Sequence, residues 1–245
     1  MNWNIVGAEE AELAVLRLRE KVVKRIRVSE GMYVVEMGCG QGGFTSMLSK
    51  EMGDRGRLLA VDISIEYYDE FVKNLGRWGA KEKVTFVKAD AANLKDVINE
   101  GVADMVVSYR FLEELKHPED MRKIVKEMVR IVKKGGKVCV VELSTEARNV
   151  AEENYIRLHR ESGDSLFDRH EITEAFKSAG LSGVKIEKLE SAIWLSPNVA
   201  KQDLSLAQVW FDEEVKSRLE SSIDKYGMKF PALLAFLGVK LDTIR

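Results

Sequence analysis

Between residues 32 and 141, short apolar runs alternate with longer amphipathic stretches. The runs are Met32–Met37, Arg57–Val61, Val84–Lys88, Ala103–Val107 and Lys137–Val141. Each has the length of a strand and is nearly continuously apolar or β-branched, as expected for strands covered on both faces. Helix-length segments lie between them at 42–52, 66–78, 91–100 and 119–133. This alternation predicts βαβ units and a mostly parallel sheet with helices on both faces, an α/β fold.

The flanks follow other patterns. Residues 8–28 read as a helix, with Leu13, Leu16, Val23 and Ile26 on a rough 3–4 spacing. Beyond the core, 146–161 and 168–179 read as helices, the second closing at Gly180. Val184–Trp194 alternates like a strand that Pro197 breaks. Residues 203–226 read as one long amphipathic helix, and Phe230–Leu241 as a last strand with Pro231 near its start. No linker or repeat interrupts this order. The expected organisation is a single domain over 1–245: a helical cap (1–30), a core (31–142), and a segment (143–245) holding the last two strands and the inserted helix 203–226.

Composition narrows the class. The 245 residues carry 38 Lys plus Arg against 40 Asp plus Glu, a net charge of −2 that disfavours a strongly basic nucleic-acid binder. Arg17, Arg19, Lys21, Lys24, Arg25 and Arg27 cluster on the first helix, but Glu10, Glu12 and Glu20 dilute them, so a solvated face is the first reading. Cys39 and Cys139 have no zinc-ligand spacing and read as core fillers, so no metal is expected. The stretch Met1–Glu12 has no apolar core of a signal peptide, and Pro231–Val239 is half a membrane span, so a cytoplasmic protein without a membrane partner is expected. Three Gln residues in a Lys/Glu-rich chain lean toward a thermophilic source.

The most informative string is Val34-Val35-Glu36-Met37-Gly38-Cys39-Gly40-Gln41-Gly42-Gly43. Glycines after a strand let the backbone turn sharply and approach a ligand, beside the free N–H groups of the next helix. Gly38, Gly40 and Gly43 satisfy the dinucleotide fingerprint, with Asp62 about 20 residues on, so a nicotinamide enzyme is one reading. Glu36 favours another. A carboxylate there repels a pyrophosphate but suits a ligand with a positive charge, such as the ammonium of S-adenosylmethionine.

At these residues the chain resembles the class I S-adenosylmethionine-dependent methyltransferases, and most of all the branch acting on small molecules. The resemblance covers about 31–142 and continues more loosely to the end. It implies a Rossmann-like seven-stranded sheet of order 3-2-1-4-5-7-6 with the last strand antiparallel. It implies that the loop holding Glu36, Gly38, Cys39, Gly40 and Gly42 wraps the methionine part of the cofactor. By the same resemblance Asp62 binds the ribose diol, Ile63 lies on the adenine face, Asp90 accepts from the adenine amine, and the Ala91 N–H donates to the adenine ring. The product would be S-adenosylhomocysteine.

Ser108 and Tyr109, at the end of the fourth strand, are expected to line the methyl-transfer pocket. Relatives often carry a His pair where this chain has Glu113-Glu114, with His117 further on. Candidates for the acceptor side are Tyr109, Arg110, Glu113, His117, Arg148, Tyr155, His159, His170 and Trp194, of which Tyr109, His117, Tyr155 and His159 stand first. His-Glu-x-x-Glu at 170–174 lacks the second His of a zinc motif. There is no Asn/Asp-Pro-Pro-Tyr/Phe and no Pro-Cys after strand four, which disfavours base methylation. A small-molecule methyl acceptor is the expected partner. The 203–226 helix reads first as packed on the domain and second as a homodimer interface or acceptor-site cover. Protein or RNA methylation, and a silent cofactor-binding module, are the alternatives.

Overall fold

A computed structural model describes residues 7–117, 119–206 and 212–241. Its main sheet is built from β1 (Tyr33–Met37), β2 (Arg57–Asp62), β3 (Val84–Lys88), β4 (Ala103–Tyr109), β5 (Val132–Leu143), β6 (Leu181–Leu189) and β9 (Leu233–Lys240). The order is β3-β2-β1-β4-β5-β9-β6, with β9 antiparallel to both its neighbours. With β9 counted as the seventh strand, this is the order the resemblance implies.

Strand alternation sorts side chains into two layers. Val34, Cys139 and Ala235 face a cluster with Val22 of α1 (Ala8–Arg25), Leu48 of α2 (Gly43–Met52), Leu158 of α5 (Val150–Glu161) and Ile223 of α8 (Glu213–Tyr226). Val35, Val138, Val140 and Phe236 face the other way, onto Ile124 and Met128 of α4 (Asp120–Ile131) and Phe176 of α6 (Arg169–Ser178). Phe71 and Leu75 of α3 (Tyr68–Arg77) close a smaller cluster against Ala60. Both faces are covered, which is why the strands read as continuous apolar runs. Among the described residues, no helix is long and apolar enough to cross a membrane.

Four expectations need correction. Residues 91–100 form turns, not a helix. The Asp90 carboxylate accepts from Ala92 N at 2.9 Å, Glu127 accepts from Leu94 N at 3.0 Å, and Arg130 donates to Ile98 O at 2.9 Å. These side chains on and before α4 hold the turns in place, and Leu94 and Ile98, joined by Ile98 N donating to Leu94 O, are buried within a single turn. The long helix 203–226 is two helices, α7 (Pro197–Leu206) and α8, with 207–211 outside the described residues. Asp212 starts α8 afresh, its extended backbone and carboxylate capping Glu214 N and Val215 N. The expected apolar contacts of Val209 and Phe211 lie outside the described residues. The strand 184–194 is β6, ending at Leu189, and a separate β7 (Trp194–Leu195) that pairs with β8 (Met228–Lys229) in a second small sheet. The last strand begins at Leu233 rather than at Phe230, because Phe230 N donates to Ile193 O, beside the small sheet.

This last region is tied to the domain by a buried charge cluster. Glu152 is fully buried and accepts from Lys229 Nζ at 2.5 Å and Arg148 Nη2 at 2.7 Å. Burial alone would raise its pKa, but the hydrogen bonds from Arg148 and Lys229 hold it down to about 2. A depressed carboxyl contributes stability above its unfolded pKa and loses it as pH falls through the folded value. Glu152→Gln is therefore expected to cost about 2–3 kcal/mol at pH 7 by leaving the buried Lys229 without its carboxylate and Arg148 with Glu190 alone. The deficit should shrink as pH falls from about 4.5 toward 2 in urea unfolding. An equal deficit at pH 7 and pH 2.5 would contradict it.

Candidate functional site

β1 runs out at Met37 and the chain folds back on β2. Gly38 N and Cys39 N both donate to Val61 O, at 2.8 and 3.1 Å. Gly38 and Gly42 take φ of +72° and +76°, in the left-handed region. A Cβ on Gly38 would stand 2.1 Å from the Phe111 ring, and one on Gly42 2.7 Å from Phe71. A Cβ on Gly40 would meet nothing within 4 Å, so that glycine borders open space. Asp62 braces the loop: one carboxylate oxygen accepts from Gly40 N at 2.8 Å, the other from Ser64 N at 3.0 Å.

Open space beside this loop forms a cleft of about 1260 Å³ at the carboxyl edge of the sheet. That is where open α/β sheets place ligands, at the point where strand order reverses around β1 and β4. Glu36, Gly38, Cys39, Gly40, Asp62, Ile63, Asp90 and Ala91 all line it. Ile63 is 67% exposed beside the cleft, an apolar side chain in position to meet a flat ligand face. Gly42 stands behind the wall as the N-cap residue of α2, without side-chain capping. Ser108 is not at the cleft. It is fully buried between Met37 of β1 and Val140 of β5, because its place in a central strand turns the hydroxyl inward.

Glu36 is 1% exposed, and its Oε2 has no hydrogen-bond partner among the described residues. Burial pushes its carboxyl up to about 8, against the lowering influence of the Thr45 hydroxyl and of Arg19. A buried, unneutralised carboxylate at the end of β1 is costly, which points to a cationic or donor group as its missing partner. Burial also raises the Cys39 thiol far above its usual range, so it is no nucleophile.

The acceptor-side candidates divide. Tyr109 lines the cleft, stacked on Phe44 at 4.4 Å with the Arg19 guanidinium 5.9 Å from its ring centre. Arg110 and Glu113 also line it. Arg110 adopts φ +49°, and its guanidinium binds Glu113 Oε1 at 2.6 Å and the Tyr155 hydroxyl at 3.2 Å. Behind Arg110, His159 lies 3.4 Å from its Nη2 and bonds Asp164. Tyr155 and His159 therefore sit outside the cleft and hold Arg110, instead of facing a substrate. His117 is at the rim, exposed and 3.9 Å from Glu119. Arg148 is engaged by Glu152 and Glu190, His170 is an exposed first-turn residue of α6, and Trp194 lies in β7 under Lys229. Among the described residues of the segment 143–245, Leu143, Phe230, Pro231 and Leu233 line the cleft.

Two residues escaped the sequence reading. Glu142, buried in β5, accepts from Phe111 N at 3.1 Å and Leu112 N at 2.9 Å and so fixes the loop after β4. Burial, with Glu113 nearby, pushes its carboxyl up to about 8. A lone acid closing an apolar strand was the available signal. Arg19 reaches the cleft from α1; within a basic cluster nothing in the sequence singled it out.

Residues 34–136 match the family model described as a methyltransferase domain. A sterol 24-C-methyltransferase of Aspergillus fumigatus is 29% identical over 182 residues, 72% of this chain and 46% of the relative. A demethylmenaquinone methyltransferase of Lactococcus lactis is 30% identical over 127 residues, 51% of this chain and 48% of the relative. The chain thus spans about half the length of these curated relatives. A SAM dependent methyltransferase from Aquifex aeolicus has a solved structure with a TM-score of 0.58 at 17% identity, covering 91% of this chain and 89% of that one. Sheet order and glycine loop accord with that match: residues 34–136 are similar to a methyltransferase domain, and the sheet has the α/β fold of the Aquifex aeolicus protein.

Proposed function

We propose that this protein transfers a methyl group from S-adenosylmethionine to a small-molecule acceptor. The carrying observation is the buried Glu36, whose Oε2 lacks a partner at the edge of the cleft. An ammonium meets that need, whereas a pyrophosphate would be repelled. On this reading Asp62 takes the ribose diol, Ile63 lies on the adenine, and Asp90 with the Ala91 N–H meets the adenine edge. Gly38, Cys39 and Gly40 pass along the methionine chain, and Gly42 acts through the turn. Ser108 supports the sheet and makes no contact.

When bound, S-adenosylmethionine supplies an electrophilic methyl whose leaving group departs neutral. The chain then has to orient the acceptor and exclude water. Tyr109, Leu16, Leu143, Phe230 and Leu233 line one side of the cleft and would hold an acceptor with an apolar body. Charged Arg110 and Glu113 face the same space. The proposal extends to one domain over 1–245, a cytoplasmic location and a homodimer, the last checked by sedimentation.

Calorimetry with S-adenosylhomocysteine and with NADH separates the leading reading from the dinucleotide one. Micromolar binding of the first and none of the second is expected. NADH binding without S-adenosylhomocysteine binding would overturn the proposal. Turnover in an acceptor screen then distinguishes an enzyme from a silent binding module.

A further inference from the structure

The loop after β4 holds a second buried carboxylate with an open oxygen. Glu113 lies in a single helical turn, Leu112–Glu114, lines the cleft and is 4% exposed. Its main chain is clamped by the turn that follows α5: Ser165 N donates to Glu113 O at 2.7 Å, and Ser165 Oγ to Leu115 O at 2.7 Å. Its Oε1 takes two bonds from Arg110, from Nε at 2.8 Å and Nη2 at 2.6 Å. Its Oε2 is buried and has no hydrogen-bond partner among the described residues. An unpaired carboxylate oxygen in a buried place is costly, and its position on the cleft points to a ligand as the missing donor. Arg110 is not that donor. Its guanidinium is divided among Glu113 Oε1, the Tyr155 hydroxyl and the His159 ring, on a left-handed backbone that only such contacts sustain.

The charges around this oxygen leave no free cation beside it. Arg110 is answered by Glu113, and His159 by Asp164. Glu142 is buried close enough to Glu113 to feel its charge, and Asp120 is held by Lys123. Glu114, Lys116 and His117 are exposed at the rim, where water and salt screen them. The acceptor end of the cleft is therefore rich in acids around one unfilled acceptor atom.

We propose that Glu113 Oε2 receives a protonated amine of the methyl acceptor, so that the cleft selects an apolar molecule bearing an amine over one bearing a carboxylate. The inference rests on the methyltransferase reading and names the class of its acceptor. An ammonium supplies both the donor that Oε2 lacks and a charge to set against the acids. A carboxylate would be repelled by Oε2 and would have to draw Arg110 away from Oε1. The apolar body of the acceptor lies against Tyr109, Leu143, Phe230 and Leu233. Arg110 is then a positioning residue. Held by Tyr155 and His159, it engages Oε1 and leaves Oε2 to the ligand.

The test uses three probes with one apolar body and different heads: phenylpropylamine, phenylpropanol and phenylpropionate. They are titrated by calorimetry into wild type, Glu113→Gln and Glu113→Asp with saturating S-adenosylhomocysteine, so that Glu36 is already occupied. Wild type should bind the amine roughly 10–100-fold more tightly than the propionate, the range for a charge-assisted hydrogen bond. In Glu113→Gln that order should reverse, because the amide no longer repels the propionate and Arg110 is freed to meet it. The alcohol should stay within about threefold across the variants. Glu113→Asp should keep part of the amine preference. Equal losses for all three probes in Glu113→Gln would make Glu113 a structural residue and overturn the proposal. A wild-type preference for the propionate, an amine preference that survives in Glu113→Gln, or no amine binding to wild type at about 10 mM would overturn it as well. If Glu113→Gln does not fold, the wild-type order of the three probes together with Glu113→Asp still decides. Failure of S-adenosylhomocysteine to bind would remove the cofactor reading, a separate result. The probes are then titrated into Glu36→Gln, which lacks the other unpaired carboxylate, and the same order is read.

Discussion

Glu36→Gln is expected to raise the melting temperature of the ligand-free protein at pH 8.5 while weakening S-adenosylhomocysteine binding. In the folded chain burial lifts the Glu36 carboxyl from 4.5 to about 8, Asp62 adds to the shift, and Thr45 and Arg19 oppose it. The native state thus holds the proton more tightly than the unfolded chain. Stability is full below about pH 4.5 and is lost as pH rises through about 8. Above that window wild type buries an uncompensated charge that the amide does not carry. The gain from Gln should be about 4–5 kcal/mol at pH 8.5 and about 1 kcal/mol at pH 5. For a chain of this size, that moves Tm by roughly 9–18 °C. Binding runs the opposite way. Loss of the carboxylate–ammonium contact should weaken S-adenosylhomocysteine by roughly 10–100-fold. Wild-type affinity should strengthen between pH 6 and 8, because the ligand's ammonium favours the ionised acid. A Gln variant that is no more stable at pH 8.5 than wild type, or that binds equally well, would refute the role given to Glu36.

Asp62→Ala is expected to abolish measurable cofactor binding at micromolar concentrations. Its two oxygens already organise the loop, accepting from Gly40 N and Ser64 N, and both lie beside the cleft where a ribose diol would add its hydroxyls. Removal deletes two acceptors for the ligand and releases the backbone of Gly40. The combined loss should exceed roughly 100-fold in S-adenosylhomocysteine affinity, with about 1–2 kcal/mol of folding stability. Asp62→Asn preserves the shape and one acceptor, so its Tm should stay near wild type while affinity still falls about tenfold. Asp90→Ala should cost less than Asp62→Ala: Asp90 is exposed, and among the described residues its carboxylate accepts from Ala92 N alone. Calorimetry and thermal melts on the three variants read both quantities. Retention of affinity in Asp62→Ala with intact folding would remove it from the cofactor site.

The two layers of the fold differ in how far they could be read. Continuous apolar strands such as Val34–Met37 and Val138–Val141 advertise a doubly covered sheet whatever their neighbours do. The segment 91–100 misled because Leu94 and Ile98 are buried at helical spacing, while the groups that claim their backbone, Glu127 and Arg130, lie over 30 residues away. The split of 203–226 turned on Asp212, whose capping role competes with a continuous amphipathic pattern. Ser108 was misplaced by one residue of strand parity: Tyr109, its neighbour, faces the cleft and Ser108 does not.

The sequence by itself determined the alternation of strands and helices, the glycine turn, and the row of acids at Glu36, Asp62 and Asp90, because these depend on local periodicity and on residues that close strands. Tertiary structure alone decided which side chains share the cleft. It turned Arg19 down from α1 onto the α2 start, drew Tyr155 and His159 behind Arg110, and buried Glu142 under the Phe111–Leu112 backbone. Those pairings join residues 24 to 49 positions apart, or separate helices packed on one sheet edge. Their cost and gain arise from desolvation and charge in a shared space, which no local pattern encodes.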